Sequence, residues 1–69
     1  MKYFIDGAEV TREAVKAQLL EELREAETRP TFQGRIFYNI DYIERIAAQF
    51  MEANGKNYFI FDDVRLEKN

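Results

Sequence analysis

The sequence contains no cysteine, histidine, tryptophan or serine, and only one proline. Without cysteine the chain has no disulfide scaffold, no thiolate zinc site and no thiol nucleophile. Without histidine or serine it has no imidazole general base, no histidine metal ligand and no serine nucleophile. The sequence therefore lacks the cysteine, histidine and serine side chains on which many hydrolases and metalloproteins depend.

Long apolar runs are also absent. No stretch approaches the roughly 18 apolar residues of a membrane span, and no basic-then-apolar leader opens the chain. The three glycines are isolated, so no glycine-rich phosphate loop exists. We therefore expect a cytoplasmic protein that has no membrane partner, no cofactor and no bound metal.

The size and charge of the chain further limit its domain number and its possible binding partners. Residues 1–69 suffice for a single small domain, and domains of this size often gain stability by forming oligomers. The formal net charge is −3, from 13 acidic and 10 basic residues. Because a phosphate backbone attracts clustered lysine and arginine, we expect no direct contact with nucleic acid.

The first ten residues have the pattern of a hairpin. Asp6-Gly7 tolerates the positive φ that a two-residue type I′ turn requires at both positions. The turn predicts pairing of the flanking residues, with Phe4 and Glu9 on one face of the hairpin. Four side chains then share the other face: Tyr3, Ile5, Ala8 and Val10.

A helix is predicted directly after this hairpin. Thr11 is a typical N-cap, and Glu13 lies in the first turn, where the helix dipole favours an acidic side chain. The helix should run to about Glu27, before the loop that contains Pro30. Its apolar stripe consists of Val15, Leu19, Leu20, Leu23 and Ala26.

The second helix has one ambiguous end. Residues 40–54 have helical apolar spacing, with Ile43 and Phe50 expected in the core, and Asn54-Gly55 is a stop signal. Residues 35–39 are either strand or helix. The strand-forming residues at 36–38 favour a strand, whereas the helical spacing of the apolar residues favours a helix. Asn39 could also cap a shorter helix that begins after it.

The C-terminal residues repeat the N-terminal pattern. Tyr58-Phe59-Ile60 copies Tyr3-Phe4-Ile5, and each triplet leads into a turn that contains aspartate. A hairpin turning at Asp62-Asp63 is favoured over one long strand. The predicted fold class is therefore α+β, ββ-α-α-ββ: an antiparallel sheet of two terminal hairpins, with two helices packed on one face.

Aromatic residues carry the strongest functional signal. Phe4, together with either Phe59 and Phe61 or Tyr58 and Ile60, should lie on the sheet face that the helices leave open. Apolar side chains on both faces of a strand normally mean that both faces are covered, so we expect a partner protein or a homodimer contact here. The predicted partner-binding residues are Phe4, Arg35, Tyr38, Phe59 and Phe61.

Catalysis is not expected. Asp62 and Asp63 are adjacent, so in an extended segment their carboxylates point to opposite faces and do not form an acid–base pair. Turn chemistry explains both residues, and no other pattern of carboxylates indicates an active site. We therefore expect that the protein is not an enzyme.

The N-terminal segment resembles the start of small uncharacterised proteins encoded in prophages of Gram-positive bacteria. The resemblance rests on residues 3–13, Tyr-Phe-Ile-Asp-Gly-Ala-Glu-Val-Thr-Arg-Glu. That group includes inhibitors of host defence, among them anti-CRISPR proteins. The resemblance implies a small, non-enzymatic, often acidic viral protein that binds a host protein, and it carries over no functional residues.

Three hypotheses follow. The leading one is a phage or mobile-element protein that binds and inhibits a host protein, for example a component of a defence system. The second is an oligomeric sponge that holds a small nucleotide signal through aromatic stacking and Arg35, Arg45 or Arg65. The third is a structural homodimer without a ligand.

Overall fold

Residues 1–32 and 34–69 are described by the computed structural model of the chain. This part of the chain forms two α-helices and one antiparallel sheet of four strands. In chain order the elements are β1 (Lys2–Ile5), β2 (Ala8–Val10), α1 (Arg12–Ala26), α2 (Ile40–Asn54), β3 (Tyr58–Phe61) and β4 (Val64–Glu67). The predicted α+β fold is confirmed, and neither α1 nor α2 is long and apolar enough to cross a membrane.

The Asp6-Gly7 turn forms as expected. Asp6 has a φ of 51° and Gly7 a φ of 84°, the positive values that a type I′ turn demands at both central positions. Ile5 pairs with Ala8 and Tyr3 with Val10, so the predicted register of β1 and β2 is confirmed. Phe4 consequently lies on the opposite face from Tyr3 and Ile5.

The second hairpin also forms, in place of one long strand. Phe61 pairs with Val64 across the turn, and Asp62 adopts a left-handed conformation with a φ of 53°. Aspartate tolerates this conformation better than most residues because its short side chain can hydrogen-bond locally. The backbone N–H of Asp6 donates to the carbonyl of Asp63 at 3.0 Å, which links the two hairpin turns.

Pairing between β1 and β4 joins the two ends of the chain. The strand order is β2-β1-β4-β3, and Tyr3 lies opposite Leu66 in the antiparallel β1–β4 pair. Each hairpin alone would be marginally stable, because independent stability needs at least three strands or a covering helix. The central pair therefore turns two local hairpins into one sheet with β2 and β3 at its edges.

Local side chains set the helix ends. The Thr11 hydroxyl accepts a hydrogen bond from the Ala14 N–H at 3.2 Å and begins α1. The Asn39 side-chain oxygen accepts from the Asp41 N–H at 2.9 Å and begins α2. Gly55 ends α2 in the left-handed conformation, with a φ of 63°.

The ambiguous segment is a separate turn of 3₁₀ helix, Arg35–Tyr38. It is neither a strand nor a continuation of α2. The reason is Asn39, whose extended backbone (φ −91°, ψ 123°) interrupts the helical path while its side chain caps the next helix.

The core lies between the helices and the inner face of the sheet. Leu19 and Ile43 are buried as predicted, whereas Leu23 and Phe50 are only half-buried. Leu20 is 52% exposed, because it lies about 100° around the helix from buried Leu19. The buried side chains are Val15, Leu19, Ala26, Ile40, Ile43, Ala47, Met51, Val64 and Leu66.

Replacing Gly7 tests the first turn. A Cβ at Gly7 meets no heavy atom within 4 Å, so a substitution there is opposed by backbone strain and not by a clash. Gly7→Val should lower the free energy of unfolding by about 1–3 kcal/mol, since a β-branched residue resists positive φ. Gly7→Asn, which tolerates this conformation, is the control and should cost less. Equal urea midpoints for Gly7→Val and the wild type would remove the turn assignment.

Two adjacent leucines test the core of α1. Leu19 is fully buried and Leu20 is 52% exposed. Leu19→Ala should cost about 2–5 kcal/mol because it leaves a cavity, whereas Leu20→Ala should change stability by about 0.5 kcal/mol or less. Urea denaturation followed by circular dichroism measures both. Similar losses for the two variants contradict the orientation of α1.

Candidate functional site

The face of the sheet turned away from the helices is the candidate binding surface. Strand alternation and register bring its side chains together in neighbouring strands. We call this surface the outer face; it consists of Lys2, Phe4, Glu9, Tyr58, Ile60, Arg65 and Glu67.

Of the two alternatives predicted for the open face, the structure excludes Phe59 and Phe61, which were also the predicted partner-binding residues of β3. Both pack against the buried cluster on the helix side of the sheet. Phe59 pairs with Leu66 and Phe61 with Val64, and both β4 partners are fully buried. Directly opposed residues point to the same side, so the two phenylalanines must face the core.

The other predicted alternative, Tyr58 and Ile60, lies on the outer face. Tyr58 is 36% exposed and Ile60 is 57% exposed. The sequence of β4 already indicates these faces. Apolar Val64 points to the core and polar Arg65 points to solvent, and each residue of β3 shares the face of the β4 residue opposite it. Phe4 lies on the outer face as predicted and is half-buried.

Tyr38 and Arg35 lie away from the outer face. Tyr38 packs on the core and meets Phe61 edge to face, with ring centroids 5.5 Å apart. Arg35 is at the start of the 3₁₀ turn, where its guanidinium pairs with the carboxylate of Glu27. The structure therefore does not bring the five predicted residues together, and only Phe4 remains on the outer face.

Arg65 and Tyr58 form the polar part of the outer face. The Arg65 guanidinium lies over the Tyr58 ring, 4.9 Å from its centroid, and its Nη2 is 2.9 Å from a carboxylate oxygen of Glu67. The Lys56 ammonium lies 5.7 Å from the same ring. Exposed Ile60 thus lies beside an aromatic ring that two cations border, and tyrosine and arginine are common anchors of protein interfaces.

The arginines proposed for a nucleotide do not converge within one chain. Arg65 is on the outer face, whereas Arg35 begins the 3₁₀ turn and Arg45 is on α2. The Arg45 guanidinium stacks over the Tyr42 ring at 5.1 Å. In residues 1–32 and 34–69, moreover, no group of three or more carboxylates is placed to hold a metal ion.

A charged network behind the sheet fixes the first hairpin to both helices. The Arg12 guanidinium donates to Glu44 at 2.9 Å and to Asp41 at 2.7 Å, and the Tyr3 hydroxyl donates to Glu44. The hydrogen bond from Arg12 holds the pKa of Glu44 below its usual value, and that of Arg12 is raised by the same bond. Burial and then the bond to Glu44 raise the pKa of Tyr3 to about 12.

A second polar group joins α1 to the turn between β3 and β4. The Gln18 amide donates to Asp63 at 3.1 Å and to Glu22 at 3.3 Å. Burial, and then a hydrogen bond with Asp63, raise the pKa of Glu22 to about 7. Two carboxyl groups in contact cannot easily both ionise, so Glu22 keeps its proton to a higher pH than an exposed glutamate does.

This carboxyl pair makes stability depend on pH. The folded state keeps the Glu22 proton up to about pH 7, whereas the unfolded chain releases it near pH 4.5. The stabilisation is therefore complete below about pH 4.5 and is lost as pH rises to about 7. We expect a decrease of about 1–2 kcal/mol over this interval, because solvent screening reduces the full effect of the shift.

Glu22→Gln should remove that decrease and stabilise the protein at pH 7.5 while leaving it unchanged at pH 4.5. Glu21→Gln is the matched control, since Glu21 is the preceding residue and its side chain is 62% exposed. Urea unfolding at half-unit pH intervals measures the effect. The same decrease in the Glu22→Gln variant would disprove the role of this pair.

No protein-family model matches this chain, and no curated protein or solved structure matches it. Its function is therefore inferred from its own surfaces and charges.

Proposed function

We propose that this protein is a non-enzymatic inhibitor that binds a protein of a bacterial host and blocks it by occupying its surface with the outer face. Phe4, Tyr58 and Ile60 are the proposed anchors. The observation that carries the proposal is an exposed isoleucine, Ile60, beside a tyrosine, both on a sheet face that no helix of the described chain covers.

The composition of the outer face supports a protein partner. Its apolar side chains gain free energy when a partner removes them from water. Arg65 adds a guanidinium already in contact with the ring of Tyr58, which reduces the side-chain entropy that binding costs. On the same face the carboxylates of Glu9 and Glu67 balance the cations of Lys2 and Arg65, so the face offers no excess positive charge to a phosphate backbone.

The surroundings of the carboxylates support a role without catalysis. Glu44 and Asp41 are engaged by Arg12, and Glu22 is engaged by Gln18 and Asp63. Each group joins two elements of the fold, which is a structural task. Together with the absence of histidine, serine and cysteine, this favours binding over chemistry.

The resemblance of residues 3–13 to prophage proteins supports a bacterial partner met in the host cytoplasm. The nucleotide sponge is less well supported, because its three arginines lie on different parts of the chain. A homodimer formed face to face through the outer face is a competing use of the same surface.

Phe4→Glu tests the outer face. A carboxylate at this position must lose its water in the contact, so binding of the host protein should weaken by about tenfold or more. Wild-type and variant proteins are immobilised, and lysates of Gram-positive bacteria are passed over each. Retained proteins are identified and their affinities measured.

Leu20→Glu is the matched control, because it adds the same charge at an exposed apolar residue on α1. It should retain the host protein as the wild type does. A protein that all three baits retain equally, or no retained protein at all, contradicts the proposal.

A further inference from the structure

We propose that β3 is a dimerisation edge: it pairs antiparallel with β3 of a second copy, in a register centred on Phe59, and joins two four-stranded sheets into one of eight strands. This contact uses the edge of the sheet and leaves the outer face open. It goes beyond the proposed function and does not depend on the host partner.

The backbone of β3 is free to make this contact. β3 is an edge strand in the order β2-β1-β4-β3. The Lys68 N–H donates to the Asn57 carbonyl at 2.8 Å, so the bonded pairs between β3 and β4 fall at alternate residues counted from Asn57. Phe59 and Phe61 therefore bond to β4, whereas the backbone groups of Tyr58 and Ile60 point out from the edge.

Within the described residues, no turn, loop or cap hydrogen bond uses the outward backbone groups of Tyr58 and Ile60. Natural edge strands are usually protected from pairing by proline, by a central lysine or by a bulge. β3 reads Tyr-Phe-Ile-Phe and contains none of these residues, although it is the more apolar of the two edges. Another strand can therefore form backbone hydrogen bonds with the outward edge of β3.

The sequence around β3 is complementary to itself in one register. When Phe59 lies opposite Phe59 of the second copy, Tyr58 lies opposite Ile60, and both pairs are good cross-strand partners. In this register Lys56, two residues before β3, and Asp62, the residue after it, lie at facing ends of the two strands, and the two-fold axis brings these opposite charges near each other twice. In this register the outward N–H and C=O groups of Tyr58 form hydrogen bonds with those of Ile60 in the second copy.

The other edge is unsuited to the same contact. β2 has three residues. Ala8 follows the turn directly and Val10 lies two residues further on, so these two residues exchange backbone hydrogen bonds with β1. The outward backbone groups therefore belong to Glu9. In a symmetric pair centred there, Glu9 would face its own copy, and like charges directly opposite each other are destabilising.

The dimer enlarges the surface available to a partner. One outer face, four strands at about 4.8 Å and four residues at about 3.3 Å, covers roughly 250 Å² in projection. A standard protein interface uses about 800 Å² per partner. Joining two sheets through β3 doubles the projected face to about 500 Å² and brings Tyr58 and Ile60 of both copies to its centre.

Charge reversal tests both the dimer and its register. Lys56→Asp places two aspartates opposite each other in the homodimer, and Asp62→Lys places two lysines opposite each other. Each variant alone should dimerise about tenfold more weakly than the wild type. An equimolar mixture should restore the dimer to within about threefold of wild-type affinity, because opposite charges then face each other at both positions.

Sedimentation equilibrium measures the association, with wild type expected at twice the 8.2 kDa mass of the chain. Circular dichroism checks that each variant is folded. If Asp62→Lys does not fold, Asp62→Asn replaces it, since asparagine tolerates the left-handed φ of 53° at this position. Its mixture with Lys56→Asp should associate more tightly than either variant alone, because only the mixed dimer keeps one ion pair.

Two controls separate this contact from others. Glu9→Lys alters the opposite edge and Phe4→Glu alters the outer face, so both should dimerise as the wild type does. A monomeric wild type at 100 micromolar, on the order of the concentrations at which weak dimers form, overturns the proposal. So does a mixture that remains as weakly associated as its components, or a dimer that Phe4→Glu abolishes.

Discussion

The antiparallel pairing of β1 with β4 is the contact on which the rest of the structure depends. It joins two hairpins from opposite ends of the chain, and β4 contributes the fully buried Val64 and Leu66. Closing a loop of this length costs only slightly more entropy than closing a shorter one, so burial of the two side chains can offset it. Both helices then have a common surface on which to pack.

The same pairing leaves the protein with two unequal sheet faces. On the inner side, Tyr3, Ile5, Phe59 and Phe61 pack against the buried cluster. On the outer side, Tyr58 and Ile60 remain exposed beside Arg65. Within residues 1–32 and 34–69 the two helices cover only the inner face, and the open outer face is the physical basis of the proposed binding function.

Two polar groups tie the helices to the hairpins in different ways. In the group of Tyr3, Arg12 and Glu44, the opposite charges of Arg12 and Glu44 each favour the charged state of the other, while the neutral hydroxyl of Tyr3 donates to Glu44. In the group of Glu22 and Asp63, burial and the neighbouring carboxyl favour the protonated form of Glu22. Acid therefore weakens the contact of Arg12 with Glu44, whereas neutral pH weakens the contact of Glu22 with Asp63.

Local features were determined by the sequence itself. The Asp6-Gly7 turn, the Thr11 cap and the Asn54-Gly55 stop depend on the φ preferences of one or two residues or on hydrogen bonds within three residues. The α+β order of elements and the outward position of Phe4 follow from them. These features needed no knowledge of distant residues.

The assignment of faces in β3 depends on where the second turn lies and on how β3 pairs with β4. The triplet Tyr58-Phe59-Ile60 copies Tyr3-Phe4-Ile5, but Phe61 separates it from its turn, whereas Ile5 precedes its turn directly. Because side chains alternate at every residue, this single offset reverses the inward and outward positions of the triplet. The contacts of Arg12 with Glu44 and of Gln18 with Asp63 likewise join residues 32 and 45 positions apart, beyond the reach of any local pattern.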